Sequence, residues 1–130
     1  MPRTTIKAAH APAAIGPYSH AAAPAGSRIL YLSGQTPIDP QTGALVGRDV
    51  DGQTRQVFTN LRTILAAADG TLDDVVKVNV YLVDMGDFDQ MNRVYGTFFA
   101  EPHPARTTVA VAGLPLGARV EIEVVASLGA

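Results

Sequence analysis

Between Val57 and Leu82 the hydrophobic period of this chain changes from that of a helix to that of a strand. Val57, Leu61, Ile64, Leu65 and Ala68 recur at spacings of 4, 3, 1 and 3, which stacks them on one helical stripe. Gly70 then reads as the C′ residue that ends the helix. After Asp73-Asp74, Val76, Val78, Val80 and Leu82 alternate with Lys77, Asn79 and Tyr81, the pattern of a strand with one buried face. A helix that runs at once into such a strand must lay its stripe on the sheet the strand joins.

The rest of the chain repeats the theme. Asp87 is placed to cap a second helix, whose stripe is Phe88, Met91, Tyr95, Phe98 and Phe99 and which Pro102 and Pro104 stop. Strands are expected over Thr107–Ala112 and Arg119–Ala126, joined by Leu114-Pro115-Leu116-Gly117, and earlier over Tyr18–Ala23 and Arg28–Ser33. Asp39 to Gly43 is a turn by composition, with Ala44–Val46 as a short returning strand. The order β-β-(β)-α-β-α-β-β suits one sheet with both helices on one face. Val76, Val78, Val80, Val120, Ile122 and Val124 would supply the covered face. The opposite face, with Tyr81, Ala110 and Val125, is more apolar than water favours and points to self-association.

With 130 residues the chain is expected to form one domain over residues 1–130 that buries roughly two-thirds of its unfolded surface. Its net charge of −2 gives no general attraction for a polyanion, so nucleic acid is not an expected partner. The absence of cysteine excludes disulfides, thiolate nucleophiles and Cys-based metal sites. The N-terminus lacks a continuous apolar core of the kind a signal peptide carries, and no run reaches the roughly 20 apolar residues of a membrane-spanning helix. The cytoplasm is the default location. His10, His20 and His103 lack metal-ligand spacing and read as surface or loop histidines. No nucleotide or flavin motif is present, so neither cofactor nor metal is expected.

Any chemistry must then come from arginine, carboxylate, hydroxyl and backbone groups. Arg106 follows Pro104-Ala105 at a strand start, where prolines stiffen its approach. Its planar fork suits a carboxylate, although a surface arginine paired with an acid fits the same pattern. Glu121 and Glu123 share a strand face opposite Val120, Ile122 and Val124, either as a polar sheet face or as carboxylates that orient water. Asn92 sits beside the second helix's stripe, as a structural hydrogen bonder or a ligand contact. Gly16-Pro17-Tyr18-Ser19 and Ser33-Gly34-Gln35 can place polar tips and free carbonyls at a rim, or serve as ordinary turns.

Ala14 to Ser19, Ser33-Gly34-Gln35, Gln56 through Leu61, Asp87-Phe88 with Asn92 and Val94-Tyr95, Pro104-Ala105-Arg106, Leu114-Pro115 and Val120 to Glu123 occur in this order. With them the chain resembles the RidA (YjgF) family of enamine/imine deaminases, over roughly Pro12 to Ala126. The resemblance implies a chorismate-mutase-like α+β fold, a mixed β-sheet with two helices on one face, assembled as a homotrimer with pockets between subunits. It implies that Arg106 clamps the carboxylate of a small-molecule substrate and that Glu121 stands near the attacking water, with the Gly34 carbonyl and Ser33 beside it. Tyr18 and Asn92 would line or support the pocket. Family archetypes carry Ser-Cys where this chain has Thr107-Thr108, so Thr108 bears on substrate choice, and the Ala100–His103 loop is shorter than in some of them. The implied reaction is hydrolysis of a reactive 2-imino acid to a 2-keto acid and ammonia. Three rivals stand beside it: a deaminase of a larger enamine, a non-catalytic trimeric metabolite-binding or chaperone-like protein, and an endoribonuclease.

Overall fold

A computed structural model describes residues 3–129; positions 1, 2 and 130 of the expected domain lie outside the described residues. Six strands form one mixed sheet: β1 (Thr4–Ile6), β2 (Ala21–Ala23), β3 (Ile29–Leu32), β4 (Val75–Leu82), β5 (Ala105–Ala110) and β6 (Val120–Ser127). Their spatial order is β1-β2-β3-β6-β4-β5. Helices α1 (Val50–Ala67) and α2 (Phe88–Phe98) complete an α+β fold.

Most of the predicted elements are present, several of them shortened. The strand expected over Tyr18–Ala23 is reduced to β2, and the one expected over Ala44–Val46 to a single bridge between Ile38 and Leu45. β1 carries no sequence signal: Thr4-Thr5-Ile6 is too short and too exposed to show a period. The last strand, β6, enters between β3 and β4, antiparallel to both, while β4 and β5 run parallel with α2 as their crossover. Parallel neighbours need such a crossover, and it lays α2 over the same face as α1.

That face is the core. Val78, Val80, Leu82, Val120 and Ile122 from the sheet and Val57, Phe58, Leu61, Ile64 and Leu65 from α1 are fully buried together, each such side chain contributing about 1.5–3 kcal/mol. Phe58 joins the helices. It stacks on Phe98 at 4.7 Å and meets Tyr95 and Phe99 edge-on at 5.7 and 5.6 Å.

Three local expectations are corrected. Val76 is exposed, not buried: a bulge between Val75 and Lys77 turns Val75 inward in its place, as an extra residue in one strand must. Gly70 is not C′. Asp69 takes that position with φ 60°, and the Gly70 N–H donates to the Leu65 carbonyl at 2.8 Å while that of Asp69 donates to Ala66, a Schellman closure. A Cβ on Gly70 would lie 2.8 Å from the end of the Leu128 side chain, which would have to move aside. Asp87 precedes α2 but its carboxylate does not cap it. It is held by Arg119 instead, at 2.7 and 3.2 Å.

Candidate functional site

Register fixes which face each candidate occupies. Arg106 pairs with Val78 and Thr108 with Val80, so both lie on the helix side of the sheet. Glu121 pairs with Tyr81 and Glu123 with Asn79, which alternate with the buried valines and lie on the other side. The predicted residues therefore fall into two groups separated by the thickness of the sheet.

The first group is built on α2. The Arg106 guanidinium lies 4.6 Å over the Tyr95 ring and 5.6 Å from that of Phe88, a cation–π arrangement that a rigid aromatic floor favours. Its Nη1 donates to Asn92 Oδ1 at 2.6 Å. Asn92, Tyr95, Gly96, His103, Pro104 and Arg106 line an open cavity of about 450 Å³. Burial raises the Tyr95 phenol above its ordinary value, an effect that the Arg106 charge partly opposes. The Tyr95 hydroxyl and the Thr108 hydroxyl are buried and find no hydrogen-bond partner among the described residues.

The second group lies on the opposite face. Tyr18, Ser33, Gly34, Glu121 and Glu123 line a cavity of about 440 Å³, rimmed by Ile15 and Pro115. Ser33 is tied down, its Oγ donating to the Ser19 carbonyl at 2.5 Å and its N–H to the His20 carbonyl at 2.9 Å. Gly34 packs against the Glu121 carboxylate so closely that a Cβ would lie 2.3 Å from Oε2. Burial, and then the neighbouring Glu123, raise Glu121 above the ordinary carboxylate value. Glu123 is engaged elsewhere: it accepts from the Tyr81 hydroxyl and, at 3.2 Å, from the Asn79 amide. The hydrogen bond to Glu123, with burial and both carboxylates, pushes Tyr81 up to about 12.

The histidines divide. His103 lines the Arg106 cavity and His10 is exposed. His20 departs from the surface reading: it is buried, its Nδ1 accepts from the Ala8 N–H at 3.0 Å, and its Nε2 lies 2.7 Å from the Pro12 carbonyl. Those contacts assign the proton to Nε2. One site residue carries no functional signal of its own in the sequence: Tyr95 reads as a member of an apolar stripe and enters the family resemblance only within Val94-Tyr95. A further cavity of about 480 Å³ runs along the N-terminal segment between Thr5 and His20, and touches neither Arg106 nor Glu121.

Among known proteins, the family model described as Endoribonuclease L-PSP matches residues 8–128. A RutC family protein of Pyrococcus horikoshii is 50% identical over 117 residues, 90% of this chain and 91% of that protein. A mouse protein named 2-iminobutanoate/2-iminopropanoate deaminase is 46% identical over 127 residues, 98% of this chain and 93% of that one. The crystal structure of RidA from an Antarctic Psychrobacter superposes with a TM-score of 0.91 at 44% identity, covering 96% of this chain and 99% of that one.

Proposed function

This chain belongs to the endoribonuclease L-PSP family, known also as RidA or YjgF, and on that premise we propose that it hydrolyses reactive 2-imino acids, in the cytoplasm, at sites shared between the subunits of a homotrimer. The observation that carries the proposal is Arg106, held by Asn92 over the Tyr95 ring at the wall of an open cavity. A guanidinium fixed along one edge presents its remaining N–H groups to a carboxylate without further ordering.

The trimer supplies the second half. Within one chain Arg106 and Glu121 stand on opposite faces of the sheet and cannot act on one small molecule. A neighbour that docks its Glu121 face on the Arg106 cavity completes the site and also covers the exposed apolar rim of Ile15 and Tyr18.

In the proposed step Arg106 holds the carboxylate, while Glu121 and the Gly34 carbonyl orient a water. The water oxygen bonds to the imine carbon, the C=N electron pair moves to nitrogen and one water proton passes to that nitrogen, giving a tetrahedral amino alcohol. The C–N bond then breaks, the nitrogen leaves as ammonia with the proton of the hydroxyl group, and the C–O bond becomes C=O of the 2-keto acid. The substrate already reacts with water, so positioning supplies much of the rate. A larger, polar enamine is the second reading, favoured by the unpartnered Thr108 hydroxyl on the Arg106 face. A net charge of −2 weighs against RNA as substrate.

The test couples the purified protein to a threonine dehydratase and follows keto-acid formation across a panel of amino acids. Wild type accelerates the step and Arg106→Ala does not. An Arg106→Ala protein that matches wild type removes the clamp, and wild-type binding without turnover makes the protein a metabolite binder.

A further inference from the structure

We infer that Arg119 is a positioning residue that, through Asp87, holds the two half-sites of each chain in fixed relation. The inference rests on the deaminase reading for its kinetic arm only.

Arg119 donates four hydrogen bonds, which reach the entry of α2, the loop before α1 and α1 itself. Its Nε and Nη2 donate to the two Asp87 carboxylate oxygens at 3.2 and 2.7 Å. Its Nη1 donates to the Arg48 carbonyl at 2.9 Å, just before α1. Its backbone N–H donates to Gln53 Oε1 at 2.9 Å, inside α1. Gln53 and Asp87 are both buried, at 3% and 7% exposure. A carboxylate so placed is costly unless its partner is fixed, and only a planar fork engages both oxygens at once.

The location gives the pair its consequence. Asp87 is the residue immediately before α2, the helix whose Asn92 and Tyr95 hold Arg106. Arg119 is one residue before β6 and two before Glu121. The ion pair thus joins the entry of the helix that shapes one half-site to the entry of the strand that carries the other. It leaves Arg106 and Glu121 themselves untouched, so it acts on their relative placement and not on their chemistry.

The experiment uses the intact protein and two conservative variants, Arg119→Lys and Asp87→Asn, at temperatures well below each variant's melting. The coupled assay gives kcat, and titration with the 2-keto acid product gives the affinity of the Arg106 half. NMR reads each lesion at the far half: Asp87→Asn at the Gly34 amide, Arg119→Lys at the Asn92 side-chain amide. We expect kcat to fall on the order of ten- to a hundredfold, the effect of a misplacement near 1 Å, with product affinity nearly unchanged and both distant resonances shifted. Folded variants with wild-type kcat and only a lower melting temperature overturn the inference. If wild type shows no turnover, the deaminase reading fails and the resonances decide alone. Shifts at both distant sites then sustain the linkage, and shifts confined to the neighbourhood of the mutated residue overturn it.

Discussion

Asn92 Oδ1 stands 2.6 Å from Arg106 Nη1, and this one contact decides which edge of the guanidinium stays open. The second-helix asparagine, ambiguous between scaffold and ligand contact in the sequence, is a steering group for the arginine.

Substitution at Asn92 separates steering from charge. Asn92→Ala frees the guanidinium to sample other poses, and the KM for the imino acid should rise about tenfold or more, the worth of a hydrogen bond to a charged group. Asn92→Asp should raise KM further, because a fixed carboxylate competes with the substrate's own. Steady-state kinetics that rank the two variants the other way would remove Asn92 from the clamp.

Gly34 tests the other cavity. A methyl group there would sit 2.3 Å from Glu121 Oε2, so Gly34→Ala must displace the carboxylate end while the strand pairing of Gln35 with Ile122 holds the backbone. Turnover should fall at least tenfold with melting nearly unchanged, as expected when a water-orienting group loses its geometry. Calorimetry and the coupled assay on one sample check both halves of the expectation.

Glu121 links activity to pH-dependent stability. Its carboxyl is raised above the ordinary value of 4.5, first by burial and then by Glu123. Above 4.5 and up to the raised folded-state pKa the folded chain binds more protons than the unfolded one, so stability falls as pH rises through that window. Glu121→Gln removes this loss. The variant should turn over far more slowly yet melt above wild type at pH 8, with the difference vanishing below pH about 4. A scan of melting temperature against pH that runs parallel for the two proteins would contradict the raised value.

Phe58 carries the fourth expectation. Fully buried and packed on Tyr95, Phe98 and Phe99, it supports the floor on which Arg106 lies. Phe58→Ala should cost about 3–5 kcal/mol, read as a large drop in thermal midpoint. The surviving folded protein should bind carboxylates more weakly because Tyr95 loses its backing.

The elements that pack on the core were legible because their periods are imposed by burial. The stripes of α1 and α2 and the alternation in β4 and β6 each report one covered face. What was hidden follows from interactions that leave no periodic trace. Val76 reads as buried in the sequence because alternation cannot reveal a bulge. Asp87 reads as a cap in the sequence because its partner, Arg119, lies 32 residues away. β5 was recognisable as a strand, but its parallel pairing with β4 depends on where α2 crosses. The site was legible as residue types: Arg106, Asn92, Gly34 and Glu121 all border a cavity or touch a group that does. Their division between two sheet faces follows from strand register, which the sequence alone did not reveal.

A sheet has two sides, and this one keeps Arg106 on one and Glu121 on the other. A chain damaged at Arg106 therefore still carries a sound Glu121 surface, and the reverse holds. When Arg106→Ala and Glu121→Gln chains are denatured together and refolded, some interfaces of the proposed trimer should bring the two sound surfaces face to face. Two impaired parents should then yield a hybrid far more active than either parent refolded alone. In genetic terms, two defects in a single gene would complement one another.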